Sequence, residues 1–499
     1  MKRSSETSYH FIATDLAEFS SRISLDRQER RRQIVVKTIF FILALSLIEG
    51  PLRKWFLPQF ATPLVILRDP FVIILYIYAA QSGFLLRHGV ATVWLGFAAL
   101  TSVFGLIQFI VHGYGVVEWM LAVRTYWLYV PLAFVIAKTF KTPDIKVFSR
   151  SMLLISMPYA FLMVLQYSSP PSAFINLGIG LDESAAVGVA DGLLRPFGLF
   201  TYTGPNVQFT TLMLAVLMST YVSGRSFRRS LLVFSSSGIA VAIMSVLTGS
   251  RTIIFLGGVV LLFTMLGLLF GTTSWRVRRR ALGIIGFVVL SLAILTQIFP
   301  DMHLAMQNRF DNASRSEGSI WNRVAYSIGI STDSTFEGSV LGYGIGAGAP
   351  AIAPLLNLPN LVYGESDWPR NINELGLIFG PILILMRLAL AASLVRTSLR
   401  ALRLGSPSAL PFAGFAIVAI AVGSITNSPL NGFPAWLAVG LIFAIEREAR
   451  QMHKDRIGAK PLVTDEKAAL GSVKTTSIQN WQAGGLDKES FLTTGYFKP

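Results

Sequence analysis

Apolar residues in this chain come in long windows, neither the two-residue alternation of a strand nor the single stripe of a surface helix. Windows at about 34–50, 62–82, 90–111, 117–137, 150–168, 205–223, 230–249, 252–270, 281–299, 372–395, 407–425 and 430–446 read as spans. Crossing ~30 Å of hydrocarbon takes roughly 20 apolar residues, and a helix of that length satisfies its own backbone groups in lipid. The pattern predicts an all-α, polytopic transmembrane helical bundle of about twelve spans. Two connections exceed ordinary turns, about 169–204 and about 300–371. The second mixes NRFDNASRSEGS and GYGIGAGAP with short apolar runs such as IAPLLNL and LPNLVY. That mixture predicts a large extracytoplasmic loop with one or two helices folded back over the bundle. The chain then divides into a basic N-terminus (1–33), spans one to nine (34–299), the loop (300–371), spans ten to twelve (372–446) and a polar tail (447–499) expected to be disordered.

Composition supports this class: 53% of the 499 residues are hydrophobic and 14% charged, too apolar for a soluble domain of this size. Charge adds an orientation. KTFKTPDIKVFSR, SGRSFRRS, SWRVRRR and VRTSLRALR all fall in connections that open to one side, and RQERRRQ precedes the first window. Basic connections mark the cytoplasm, which puts both termini inside. More than thirty mostly polar residues come before the first window and no small-residue cleavage pattern follows it, so an uncleaved start is expected. The net charge of +16 then reads as attraction to anionic lipid headgroups, with no nucleic-acid partner. Without cysteine there is no disulfide or thiolate chemistry, and the five histidines (His10, His88, His112, His303, His453) form no ligand pair, so no metal and no cofactor are expected.

On the far side the topology gathers charge: Glu49, Arg53 and Lys54 in EGPLRKW, Arg68 and Asp69 in LRDP, Glu118 and Arg124 in VEWMLAVRTYW. Arg195 in RPFGLF, Arg251 in LTGSRT, Arg323 in WNRVAYS and Arg370 in GESDWPRNINELG join them. Cations on this side run against the positive-inside rule and are costly near hydrocarbon. Singly, each could snorkel to headgroups or pair with a local acid. Together they suit a lipid-linked phosphate or pyrophosphate, which guanidinium groups bind bidentately while staying charged. Gly249 and Ser250 break the helical run and leave Arg251 in a tight turn; the plain alternative is a headgroup anchor. GYGIGAG lacks the preceding strand of a dinucleotide loop and is expected to be flexible turns. Trp368, Trp321, Trp119 and Trp127 could stack on sugars, or serve as ordinary interface anchors.

The order RPFGLFTYTGPN, LTGSRTIIFLGGVVLL, WNRVAYSIGI, GSVLGYGIGAG and then a long loop ending in an acid and ELGLIFG resembles the O-antigen ligase and polymerase superfamily of bacterial surface-polysaccharide assembly. The likeness covers roughly residues 190–390, and EGPLRKW and LRDP are similar to exopolysaccharide polymerases of that group. The resemblance implies a metal-independent, inverting glycosyltransferase of GT-C-like architecture in the bacterial inner membrane. It would act at the outer face on undecaprenyl-pyrophosphate-linked glycan donor and acceptor, with membrane lipids around it and chain-length regulators or export proteins as further partners. Carried over, Arg251 matches the Ser-Arg motif, Arg195 the arginine ahead of the sixth span, Arg323 the one before the glycine-rich stretch, and Arg370 more loosely the loop end; Arg53, Lys54, Arg68 and Arg124 are additional candidate cations. The ligases carry a histidine late in the loop as base, and this chain has Glu365-Ser366-Asp367-Trp368 there. Glu365 or Asp367 becomes the base candidate, supported by Glu374. The alternative for these acids is a solvated loop with pairing at a helix start. The missing histidine favours polymerase over ligase. A flippase or secondary transporter is the competing class, and its signs, two similar halves with broken helices, are not found in the sequence.

Overall fold

A computed structural model describes residues 2–85, 89–179, 194–223, 231–271, scattered positions between 279 and 300, 340–358 and 366–458, with side chains from residue 23. The described residues contain no β-strand. The helices are α1 (Lys2–Pro51), α2 (Asp69–Gln81), α3 (Val90–Val111), α4 (Val116–Trp127), α5 (Val130–Thr139) and α6 (Thr142–Ser168). They continue with α7 (Thr203–Ser223), α8 (Leu231–Leu247), α9 (Arg251–Gly271), α10 (Asp367–Arg403), α11 (Ala409–Ala421) and α12 (Pro429–Gly458).

Seven stretches are long and apolar enough to cross a membrane: Ile23–Phe56, Pro63–Gln81, Val90–Val111, Thr142–Ser168, Arg251–Phe270, Asp367–Arg403 and Pro429–Ile457. The window expected at 117–137 is instead α4 and α5, bent by 42°, and they make an eighth if counted together. Pro131, the second residue of α5, has no N–H to continue the ladder from α4. Three other expected windows correspond to α7, α8 and α11. The apolar runs in α8 and α11 are short, and α7 is polar at Asn206, Gln208, Thr210 and Thr211, all buried against neighbouring helices. The window at 281–299 falls mostly outside the described residues.

Residues up to Glu448 form one compact unit and Ala449–Pro499 another. Within the first, α12 is central, its apolar window 94% buried. α11 packs against α10, α9 and α7, α8 against α6 and α7, and α2 against α1 and α5. Small residues bring backbones together: a Cβ on Gly440 would lie 2.8 Å from Ala133 O, and one on Gly414 would lie 2.9 Å from Val259 O. Outer faces carry exposed Ile74, Val93, Val103 and Leu385, as hydrocarbon contact requires. At one end of the bundle Arg32 donates to Thr139 O at 2.7 Å and Arg447 to Ala137 O at 2.6 Å, so two cations meet the C-terminal carbonyls of α5. There Glu448 accepts from Thr142 N at 2.9 Å at the start of α6. α12 runs on to Gly458, past Glu446 where the sequence predicted disorder, and 459–499 lie outside the described residues.

α10 is not one continuous helix. At Gly376 the backbone turns to φ +77°, which separates Asp367–Leu375 from the long span behind it. The break strips Asn373 O and Glu374 O of helical partners, and the glycine-rich loop replaces them: Tyr343 N donates to Asn373 O at 2.9 Å and Gly344 N to Glu374 O at 3.2 Å. Gln108 on α3 closes the arrangement, its Nε2 donating to Glu374 O at 2.9 Å and its Oε1 accepting from Ile345 N at 3.1 Å. A Cβ on Gly342 would stand 2.5 Å from Glu374 O and one on Gly376 would stand 2.3 Å from Val340 O. The stretch expected as flexible turns is therefore pinned, because its N–H groups serve as the cap of a broken helix.

Candidate functional site

The half-helix ahead of Gly376 carries Asp367, Arg370, Asn371 and Glu374, all buried. Asp367 Oδ1 accepts from Arg370 at 2.6 Å, and its Oδ2 accepts from Arg387 at 3.0 Å and from Thr426 N at 3.1 Å. Arg387, fully buried on the long span beyond Gly376, also donates to Ile420 O at 2.7 Å and Gly423 O at 2.5 Å. Arg370 donates to Asn427 Oδ1 and Thr426 Oγ1, each at 2.7 Å, and its Nε lies 3.6 Å from Glu374 Oε1. Glu374 is held in turn by Gly346 N at 3.0 Å, Gly348 N at 2.9 Å and the Tyr126 hydroxyl. Successive N–H groups of a glycine-rich turn form a concave anion cradle, and here a carboxylate of the same chain fills it. Asp367, one of the two expected base candidates, and Glu374, its expected support, are thus saturated with donors and closed to solvent. They hold Arg370 in place.

A second set lies at the end of α1. Glu49 pairs with Arg68 at 2.6 Å and with Arg53 at 3.4 Å, and Arg53 Nε also donates to Ala61 O at 2.9 Å. Arg68 stands 5.8 Å from the Tyr129 ring. Asp69 pairs with Arg124, which reaches Val65 O at 2.7 Å. Lys54, fully buried, is spent differently: its Nζ donates to Gly198 O at 2.9 Å and Phe200 O at 2.7 Å and sits 4.3 Å above both the Trp55 and Phe197 rings. It fixes the RPFGLF loop, which Gln166 also holds through Gly198 N and O.

Tyr202 is influenced electrostatically by members of both sets. The residue is 36% exposed, yet its hydroxyl end is desolvated and pushed up to about 12, while Ser428, Arg370, Arg53 and Arg68 pull it the other way. The segment between α11 and α12 organises this junction: Thr426 and Asn427 bind Arg370, Ser428 meets Tyr202, and Asn431 lies against Gly204. Five guanidinium groups (Arg53, Arg68, Arg124, Arg370, Arg387) thus face four carboxylates (Glu49, Asp69, Asp367, Glu374) among the described residues. Lys54 adds a further cation when protonated.

Arg195 and Arg251 form their own pair of positions. α8 ends at Leu247, Gly249 takes φ +53°, and α9 begins on Arg251, half-buried, as LTGSRT predicted. Arg195 Nε donates to Thr248 O at 3.2 Å, which brings RPFGLF and the Arg251 turn together. Arg323 and Glu365, with Trp321, lie outside the described residues. The other tryptophans expected as stacking platforms are engaged: Trp127 packs edge-on against Trp94, Trp119 donates to Ser102 O at 3.0 Å, and Trp368 donates to Ala421 O at 2.7 Å. The sequence reading missed Arg387, Tyr126, Gln108, Tyr202 and the TNSPLN segment. Arg387 and Gln108 had a visible signal as lone polar residues inside apolar windows. Among the described residues no group of His, Asp or Glu converges as a metal site. No family model matches the chain, and no curated protein matches it.

Proposed function

We propose that this chain is a glycosyltransferase of bacterial surface or exopolysaccharide assembly, a member of the O-antigen ligase and polymerase superfamily it resembles. Its reaction is polymerisation of undecaprenyl-pyrophosphate-linked oligosaccharide repeat units at the outer face of the inner membrane. The observation that carries the reading is the gathering of buried guanidinium groups in a helical interior, five against four carboxylates among the described residues, where uncompensated charge is costly. A pyrophosphate diester brings negative charge and planar oxygen pairs that suit guanidinium forks. About twelve spans, cytoplasmic termini and an outer loop at 300–371 complete the picture.

In the proposed reaction an acceptor sugar hydroxyl attacks the anomeric carbon of the donor glycan. The bond from that carbon to the pyrophosphate oxygen breaks, undecaprenyl pyrophosphate leaves with the electron pair, and a carboxylate takes the hydroxyl proton. Arg195, Arg251 and Arg323 bind the donor pyrophosphate as its charge grows. Arg370, oriented by Asp367 and Glu374, completes the cationic wall. Glu365 is the base; Asp367 and Glu374 are positioning residues because their oxygens already accept from Arg370, Arg387, Thr426 N and the glycine-rich loop. Alignment and electrostatic stabilisation carry such a reaction without a covalent intermediate.

The test is turnover by the purified full-length protein in nanodiscs with a polyprenyl-pyrophosphate-linked repeat unit as sole substrate. Release of polyprenyl pyrophosphate together with products of two or more repeat units is the expected result. Release that requires a separate acceptor glycan would move the assignment to a ligase, and no release with probe crossing the bilayer would move it to a flippase.

A further inference from the structure

Two amide oxygens beside the cationic junction are left over. Asn431 and Gln208 are 4% and 8% exposed, and among the described residues neither Asn431 Oδ1 nor Gln208 Oε1 accepts a hydrogen bond. A buried carbonyl oxygen without a donor is costly, so its retention calls for a partner that arrives from elsewhere.

Their placement is specific. Asn431 sits in the first turn of α12, its N–H donating to Ser428 O at 3.0 Å, and its side chain lies across Gly204 at the start of α7. A Cβ on Gly204 would stand 3.2 Å from Asn431 Oδ1 and 3.0 Å from the Tyr202 ring, so amide and ring flank the same bare patch of backbone. Gln208 is four residues beyond Gly204 on α7, and therefore on the same face one turn along. Tyr202 keeps 36% of its surface open, and its hydroxyl is within electrostatic reach of Arg370, Arg53 and Arg68. The patch thus offers hydrogen-bond acceptors and an aromatic face next to the Thr426–Asn427 segment that binds Arg370. A phosphate takes only the amide N–H donors and leaves both amide oxygens unpaired. A hexose supplies hydroxyl or amide N–H donors from its edge and an apolar C–H face for a ring.

We infer that Gln208, Asn431 and Tyr202 form a subsite for the sugar attached directly to the pyrophosphate. The two amide oxygens accept from its hydroxyl or N-acetyl N–H groups, and the Tyr202 ring packs on its face. The assignment rests on the polyprenyl-pyrophosphate reading above and adds sugar selectivity to it: a site built to accept hydrogen bonds rejects a ligand that lacks the donors.

The test measures binding by the full-length protein in nanodiscs to two probes, farnesyl pyrophosphate and farnesyl-pyrophosphate-linked N-acetylglucosamine. Wild type is expected to bind the sugar-bearing probe about tenfold more tightly. Asn431→Leu and Gln208→Met, which keep volume, should each remove most of that margin while binding farnesyl pyrophosphate as wild type does. A margin unchanged in both variants, or equal loss for both probes, would overturn the subsite. Wild type that binds farnesyl pyrophosphate without preferring the sugar would sink the subsite alone, whereas wild type that binds neither probe would sink the pyrophosphate reading as well.

Discussion

Replacing Arg387 with methionine is the sharpest way to test whether the buried network is real. The guanidinium donates to Asp367 Oδ2 at 3.0 Å, Ile420 O at 2.7 Å and Gly423 O at 2.5 Å, and the residue is fully buried. Methionine fills much of the volume with a flexible apolar chain, so cavity formation adds little. What goes is one partner of a buried ion pair, leaving Asp367 with Arg370 and Thr426 N, Gly423 O with Ile425 N, and Ile420 O without its guanidinium donor. Breaking such a pair costs about 3–5 kcal/mol. Unfolding in detergent with rising SDS, followed by tryptophan fluorescence, would read this directly. Asp367→Asn should cost a comparable amount, and the double variant should cost less than the two together by about 1–3 kcal/mol, the coupling of residues in contact. Arg387→Lys should recover only part, because an ammonium cannot span three acceptors set out for a planar fork. An Arg387→Met protein within about 1 kcal/mol of wild type, or strictly additive variants, would refute the network.

Other consequences are as direct. Gly376→Ala forces a side chain to φ +77° with its Cβ 2.3 Å from Val340 O, so it should lower stability by about 2 kcal/mol or more and uncouple the glycine-rich loop, seen as faster amide exchange over 340–349. Arg251→Ala should abolish product while leaving the amount of folded protein unchanged, since Arg251 is half-buried at a turn and not in the core. Arg447→Ala removes the donor to Ala137 O at 2.6 Å at the C-terminus of α5 and should cost about 1–2 kcal/mol, with activity retained in the remaining folded protein. Tyr202, raised to about 12, stays protonated at neutral pH, so its ionisation should leave no mark on a pH–activity profile between 6 and 9. The sign follows for stability: the contribution is fully present below the unfolded value near 10 and is lost as pH rises through 12.

The helical class was legible because long apolar windows leave the backbone one way to pair in lipid, and windows such as 90–111 appear as helices with the same ends. Window counting reads hydropathy alone, so it could not see that α7 is buried by neighbours on nearly every side, or that Pro131 bends α4 away from α5. For the candidate site, charge density in GESDWPRNINELG pointed to a segment whose described charges are paired in a buried network. Its acids were visible as titratable groups, but their partners come from residues far away in sequence: Arg387 on the next stretch of helix, Thr426 beyond α11, and Gly346 and Gly348 in the loop. GYGIGAG read as flexible because glycines permit many conformations. Its fixed shape depends on Gln108 and Glu374, which local sequence does not reveal.

The central claim is that this chain extends polyprenyl-linked glycans, and the length distribution of lipid-linked and exported polysaccharide in a deletion strain tests it most directly. The strain would carry wild type, Arg251→Ala or Glu365→Gln. Single lipid-linked repeat units should accumulate in the deletion and in both variants, with a full ladder restored by wild type. A full ladder of lipid-linked chains in the deletion strain would contradict it.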